Sequence, residues 1–123
     1  MGMNTVGQTF MRGIQLTDAS GRVSFTTVYP GWYSGRITHV HFQVFLNNNR
    51  GGTATATSQL AFPAATTTAV YNSSLYSGDG QNNSVASNSA DMVFSDGLQY
   101  QLANLSGDVA SSFTSNLRIG VRA

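Results

Sequence analysis

Apolar and polar residues alternate along much of this chain with the two-residue period that is typical of β-strands. The longest alternating stretch, Ile37–Leu46, predicts a strand, and Thr55–Phe62 predicts a second strand that returns antiparallel beside it. Asn and Gly residues between the two indicate a turn, and Pro63 ends the second strand. Helical periodicity is hard to find, so the pattern favours an all-β protein.

Further strands are predicted on both sides of this pair. Thr9–Leu16 and Arg22–Val28 are expected to form a hairpin around the turn residues that separate them. Shorter strands are expected at Asp91–Phe94, Gln99–Leu105 and Ser112–Val121. With about seven strands in all, we expect an antiparallel β-sandwich that forms one domain over residues 1–123.

Two segments do not follow the strand pattern. The stretch around Ala65–Tyr71 is ambiguous between a short helix and a turn, and Ser73–Ala90 is a long polar loop that we expect to act as a surface lid or an interaction loop. Residues 1–8 are expected to be flexible or left over from expression.

Composition narrows the function classes. The chain has 123 residues, with six Arg, five Asp, no Lys and no Glu, and a formal charge of +1. This sparse and scattered charge argues against nucleic-acid binding, which requires a basic surface. The absence of Cys excludes disulfides and thiolate metal sites. No apolar run approaches the length of a membrane span and no secretion leader is recognisable, although the many Ser, Thr, Asn and Gly residues are typical of exported proteins.

The two histidines are the strongest chemical signal in the sequence. His39 and His41 are two residues apart, so on a strand their imidazoles project from the same face. The opposite face carries apolar residues that are expected to pack, namely Val40, Phe42 and Val44. Two imidazoles beside Tyr33 and Arg36 predict a metal site.

Each of these residues also has a plainer interpretation. The histidines would then be two unrelated surface residues, Tyr33 a packed aromatic of a loop, and Arg36 a surface or salt-bridging arginine. Gln59 would be an ordinary strand amide. The remaining tyrosines are interpreted as structural, and among them Tyr29, which precedes Pro30, is the one best placed to approach the site; the others are Tyr71, Tyr76 and Tyr100.

Nearly the whole chain resembles the intradiol ring-cleavage dioxygenases, the family of the protocatechuate and catechol dioxygenases. The resemblance rests on Phe10–Gly13, on Thr17–Phe25 and above all on Pro30–Phe42. The last of these contains a Pro-Gly-x-Tyr loop that leads into Arg-x-x-His-x-His, which is far more specific than His-x-His alone.

The resemblance implies a chemistry for these residues. Family members hold a non-haem ferric ion through two Tyr and two His, and they cleave a catechol-type ring with O2 to a muconate-type product. His39 and His41 match the histidine ligands, and Tyr33 matches the tyrosine ligand of the loop. Arg36 matches the arginine near the substrate ring, and Gln59 matches a glutamine that orients a ligand or the substrate.

One expected ligand has no counterpart. The family's other Tyr ligand lies upstream of the Phe10–Gly13 segment, where this sequence has nine residues and no Tyr. With three protein ligands the site could hold iron more weakly, or accept zinc or copper, and a neighbouring subunit could supply a further oxygen. Strands of the family's amino-terminal half are not found in this sequence, so exposed strand edges predict a homo-oligomer.

The sequence is compatible with two other functions. The first is an inactive, self-assembling structural β-sandwich that keeps the dioxygenase scaffold. The second is a module that binds a metal or a catechol without turnover.

Overall fold

The structure is a computed structural model that describes residues 6–122, and these contain two antiparallel β-ladders, one α-helix and two short 3₁₀-helices, Leu46–Asn48 and Asn88–Ala90. Strand β1 (His39–Val44) pairs with β2 (Ala56–Ala61), helix α1 (Ala64–Tyr71) follows, and β3 (Asn104–Asp108) pairs with β4 (Ser112–Asn116). Of residues 1–8, which were expected to be flexible or left over from expression, residues 1–5 lie outside the described residues. The antiparallel β character is confirmed; within residues 6–122 four strands are found in two-stranded ladders, so a sandwich of seven strands is not confirmed.

The β1–β2 ladder follows the predicted alternation. His39 pairs with Ala61 and His41 with Gln59, so these four side chains lie on one face. The opposite face carries Val40, Phe42 and Val44 of β1, each half-buried. The pairing that was predicted between Ile37–Leu46 and Thr55–Phe62 is therefore confirmed, with shorter strands.

The ambiguous stretch after Pro63 is helical. Pro63 precedes α1, where a fixed φ of −58° suits the entry into a helix, and Ala64 and Ala65 are good helix formers. Val70 and Tyr71, at the end of the helix, are 3% and 2% exposed and pack toward the core. The other buried apolar residues of this core are Ala61, Phe62, Val85, Phe94 and Ala103.

Tyrosines fill the space between α1 and the loop that precedes β1. The ring of Tyr29 lies 4.7 Å from that of Phe62, and its hydroxyl lies 2.6 Å from the hydroxyl of Thr67 on α1. Burial raises the pKa of Tyr29 to about 12. Tyr76 donates a hydrogen bond to the carbonyl of Tyr29 at 2.8 Å. These contacts give Tyr29 and Tyr76 structural roles, and the hydroxyl of Tyr29 is engaged with α1.

Three of the predicted strands are wrong as regular ladders, and a fourth, Gln99–Leu105, is largely wrong because only its last two residues lie in β3. Thr9–Leu16 and Arg22–Val28 run in extended form around a turn closed by the Asp18 amide and the Arg22 carbonyl at 2.9 Å, but they form no ladder. Asp91–Phe94 folds into turns instead, because the Asp91 carboxylate accepts a hydrogen bond from the Val93 amide and so favours a turn over a strand.

The chain leaves much apolar surface uncovered. It exposes 9256 Å², whereas a compact monomer of its mass exposes about 6,300 Å². Large apolar side chains that are 41% to 90% exposed are concentrated in residues 6–28, which we call the amino-terminal arm; they are Val6, Phe10, Met11, Ile14, Leu16, Val23, Phe25 and Val28. No helix in residues 6–122 is long and apolar enough to cross a membrane.

Candidate metal centre

The two histidines share one face of the β1–β2 ladder, as their spacing predicts. His39 is half-buried and His41 is exposed, and the buried Gln59 lies directly opposite His41. The strand period therefore places two imidazoles and one amide side by side, with the imidazoles accessible from outside the chain.

A hydrogen bond orients the imidazole of His39. Its Nδ1 lies 2.6 Å from the carbonyl oxygen of Ile37, and since a carbonyl can only accept, Nδ1 carries the proton in this contact. The Nε2 atom is then left with its lone pair, which is the form that a metal ion requires. Burial lowers the pKa of His39 and so favours the neutral ring.

Tyr33 reaches the same neighbourhood from the loop before β1. The Tyr33 ring centroid lies 5.9 Å from that of His39 in an edge-on arrangement, and the residue is 55% exposed. A turn from Tyr33 to Arg36 sets this position, and it is closed by a hydrogen bond from the Arg36 amide to the Tyr33 carbonyl at 3.2 Å. Gly35 in that turn has a φ of +92°, which side-chain-bearing residues rarely adopt.

The polar segment 73–90 forms hydrogen bonds with residues 32–36, the loop that carries Tyr33. The Trp32 indole donates to the Gly80 carbonyl at 3.1 Å, and the Gly35 amide donates to the Ser84 hydroxyl at 3.0 Å. Asn82 donates through its side chain to the Arg36 carbonyl at 2.8 Å. The segment that was expected to act as a lid or an interaction loop thus contacts the Tyr33 loop and holds it in place.

Arg36 is the most constrained of the candidate residues. Its Nη2 donates to Gln59 Oε1 at 2.6 Å, while its Nε and Nη2 donate to the two carboxylate oxygens of Asp91 at 2.9 and 3.2 Å. The Arg36 side chain is 12% exposed and that of Asp91 is fully buried. Arg36 is therefore not an exposed surface arginine. The other plain interpretation, a salt-bridging arginine, agrees with its contact with Asp91.

Electrostatics keep this pair ionised. Burial alone would raise the pKa of Asp91, but hydrogen bonds from Arg36, Ile37 and Val93 outweigh it and lower that pKa to about 2. Burial would lower the pKa of Arg36, but Asp91 and, to a lesser extent, Tyr33 raise it.

Asp91 is the partner of Arg36 that the sequence pattern did not reveal, because Asp91–Phe94 was interpreted as a strand. A weak signal exists in hindsight. The other four acidic residues, Asp18, Asp79, Asp96 and Asp108, occur in Gly-containing turn sequences, whereas Asp91 precedes the apolar run Met92-Val93-Phe94. A lone acid before an apolar run is a candidate partner for a buried arginine.

The donors at this centre suit a hard or borderline metal ion. Among the described residues, no group of three or more His, Asp or Glu side chains could hold a metal, so a site here depends on two imidazoles with a phenol oxygen. Phenolate and imidazole are ligands that suit ferric iron, and the free Nε2 of His39 fits this use. Tyr33, His39 and His41 therefore fit part of such a ligand set.

A cavity of about 280 Å³ lies elsewhere, between α1 and residues 81–88. Ile37, Thr38, Phe62 and Tyr71 are among its lining residues, and neither histidine is. The candidate centre is thus an open surface site in this chain and is not part of that cavity.

Comparison with known proteins adds independent information. No protein-family model matches the sequence, and no curated protein does. Two solved structures resemble this fold. One is an intradiol ring-cleavage dioxygenase from Tetranychus urticae, with a TM-score of 0.78, 25% sequence identity, and coverage of 91% of this chain and 53% of that chain. The other is a dioxygenase with the same TM-score and coverage and 27% identity.

The chain therefore spans about half the length of the dioxygenase structures that it matches. The resemblance that the sequence indicated is confirmed: this chain is related to the intradiol ring-cleavage dioxygenases and corresponds to a part of that fold.

Proposed function

We propose that this chain carries an iron site of the intradiol type and takes part in the cleavage of a catechol-type ring by O2. The reaction breaks the bond between the two hydroxyl-bearing ring carbons and adds both oxygen atoms, which gives a muconate-type diacid. The observation that supports this best is that His39 and His41 share one face of the β1–β2 ladder with Gln59, which binds Arg36, while the ring of Tyr33 lies 5.9 Å from that of His39.

His39, His41 and Tyr33 would hold the metal. A ferric ion bound there would accept electron density from a catecholate and so make the ring reactive toward O2. The Ile37 carbonyl keeps Nδ1 of His39 protonated, so that Nε2 points its lone pair away from the backbone. Zinc or copper would also suit three such donors, and a metal analysis that finds either ion in place of iron would contradict the iron assignment.

The other residues act on the substrate. Arg36 carries a permanent positive charge, which would stabilise negative charge that develops on the ring oxygens. Gln59 holds the Arg36 guanidinium at 2.6 Å and faces the same side as His41. Tyr33, on an exposed loop, could as a phenolate accept on its Oη the proton that a catechol hydroxyl loses.

The decisive experiment measures metal content, the visible spectrum and product together. We expect about one iron per chain after loading, a visible absorption band that shifts when catechol is added, and a ring-opened diacid under O2. Tight catechol binding under O2 without a ring-opened product would instead indicate a binding module. A colourless protein that stays metal-free after loading would overturn the proposal.

A second candidate function has its own supporting observation. The apolar amino-terminal arm and the exposed area described above favour self-association, since an excess of about 2,900 Å² per chain is larger than the roughly 800 Å² that each partner buries in a standard interface. The alternative is therefore a self-assembling structural β-protein that retains the scaffold and has no activity.

Light scattering distinguishes the states of association. For a self-assembling protein we expect a dimer or larger species at micromolar concentration that Leu16→Asp and Phe25→Asp convert to monomer. Met92→Asp, at an exposed apolar position outside the arm, is the matched control. A monomer at every concentration would exclude this alternative.

A further inference from the structure

We propose that Asp91 is a positioning residue, which acts through Arg36 by holding its guanidinium on the histidine-bearing side of the β1–β2 ladder. This inference rests on the proposed function, because it assigns a task to a residue behind the same site. Neither the strand pattern nor the resemblance to known dioxygenases assigned any role to Asp91.

The contacts of Asp91 form a complete cage around its carboxylate. Oδ2 accepts from Arg36 Nε at 2.9 Å and from the Ile37 amide at 2.8 Å. Oδ1 accepts from Arg36 Nη2 at 3.2 Å and from the Val93 amide at 2.8 Å. Both oxygens are thus engaged twice, and the residue is fully buried, so the carboxylate has no freedom to turn.

This cage restrains the guanidinium in a defined plane. Two hydrogen bonds from one guanidinium edge to one carboxylate fix both the position and the orientation of Arg36. The bond from Nη2 to Gln59 Oε1 at 2.6 Å adds a third restraint, which comes from β2. These bonds use Nε and Nη2, so Nη1 is left for Tyr33 or for an oxygen of a bound substrate.

The same carboxylate also steadies the start of the histidine strand. Asp91 accepts a hydrogen bond from the amide of Ile37, and the carbonyl of the same Ile37 accepts one from His39 Nδ1. Asp91 therefore links the cation and the first histidine through one peptide segment. A merely structural role for Asp91 would be confined to holding this segment and the 91–93 turn together.

The first test reads the guanidinium directly and needs no activity. In protein with ¹⁵N-labelled arginine, the Arg36 Nε–H should exchange slowly with water, because it is buried and bonded to Asp91. In Asp91→Asn, which loses the charge at nearly constant shape, we expect exchange that is about tenfold faster. The matched control is Asp96→Asn, at an exposed position, and should leave the rate unchanged. Equal rates in wild type and Asp91→Asn would overturn the proposal.

The second test uses the iron-loaded protein and a double-mutant cycle. We expect Asp91→Asn to lower kcat for a catechol about tenfold, with KM changed less than about twofold and iron content unchanged. In an Arg36→Ala background, Asp91→Asn should cause almost no further loss. Losses that multiply in the double variant would show that Asp91 acts independently of Arg36 and would overturn the proposal.

A further variant covers the case in which Asp91→Asn does not fold. Arg36→Lys keeps the charge but lacks the planar fork that binds both carboxylate oxygens. It should lose kcat with iron content preserved, and full activity would contradict a need for fixed orientation. If iron-loaded wild type turns over no catechol, the proposed function fails, and the exchange rates alone decide whether Asp91 positions Arg36.

Discussion

His41 lies directly opposite Gln59 in the β1–β2 ladder, and Gln59 in turn accepts a hydrogen bond from Arg36 at 2.6 Å. One strand pairing thus connects a candidate metal ligand to the buried cation beside it. The link passes through Gln59, whose side chain is 9% exposed and so has little freedom to adopt another rotamer. Substitutions on either strand of this ladder should therefore change the positions of the side chains at the candidate centre.

The histidine pair should be essential for iron binding. His39→Ala or His41→Ala removes one of three protein donors, so we expect loss of stoichiometric iron in metal analysis by mass spectrometry. Gln43→Ala is the matched control, because Gln43 is the next exposed residue on the same face of β1. Full iron retention in either histidine variant would remove the assignment.

Acid should weaken the fold through Asp91. Its pKa falls from 3.8 to about 2 on folding, so the folded state binds this proton less readily than the unfolded chain does. The stabilisation is therefore fully present above about pH 4 and is lost as the pH falls toward 2, by about 2 kcal/mol.

Urea unfolding between pH 5 and pH 2 measures this effect. The difference in the free energy of unfolding between wild type and Asp91→Asn should narrow by that amount over this range. The titrations of Asp18 and Asp108, whose pKa values are also lowered, occur in both proteins and cancel. A constant difference would contradict the depressed pKa of Asp91.

The hydroxyl of Tyr71 should matter to the segment before β1. It contacts the Thr38 hydroxyl and donates a hydrogen bond to the Pro30 carbonyl at 2.9 Å. It therefore connects α1 to one residue before Tyr33 and to one residue after it. Tyr71→Phe should lower the free energy of unfolding by about 1 to 2 kcal/mol, because the buried Thr38 hydroxyl and Pro30 carbonyl lose a partner. Tyr100→Phe, at a residue that is 77% exposed, should change little in the same denaturation experiment.

Gly107 should be intolerant of any side chain. Its φ is +106°, and a Cβ built there would lie 2.0 Å from the carbonyl oxygen of Ser112 across the β3–β4 hairpin. Gly107→Ala is expected to cost about 2 kcal/mol or more in thermal or urea unfolding. Gly31→Ala, at a glycine with open space and no positive φ, serves as the control and should be nearly neutral.

Local alternation was enough to predict the central part of this fold. A period of two residues places His39 and His41 on one face whatever the rest of the chain does, and the same period in Thr55–Phe62 supports the pairing that brings Gln59 opposite His41. The position of Tyr33 near His39 could be expected because only five residues and a glycine turn separate them.

Long-range relationships were beyond that reasoning. The contact between Arg36 and Asp91 joins residues 55 positions apart, and no local pattern encodes such a pairing. The amino-terminal arm has the alternation of a hairpin, yet without a partner surface its segments form no ladder, since strand pairing depends on packing as well as on propensity.

Because the ion pair joins residues 36 and 91, we expect the centre to be completed late in folding. The β1–β2 hairpin can bring His41 opposite Gln59 after closing a short loop, whereas Arg36 gains its contact with Asp91 only when a segment of 55 residues has been brought around. A ligand that requires the fixed cation would therefore bind the completed fold and would slow global unfolding, while a metal held by the histidines alone could bind the hairpin earlier.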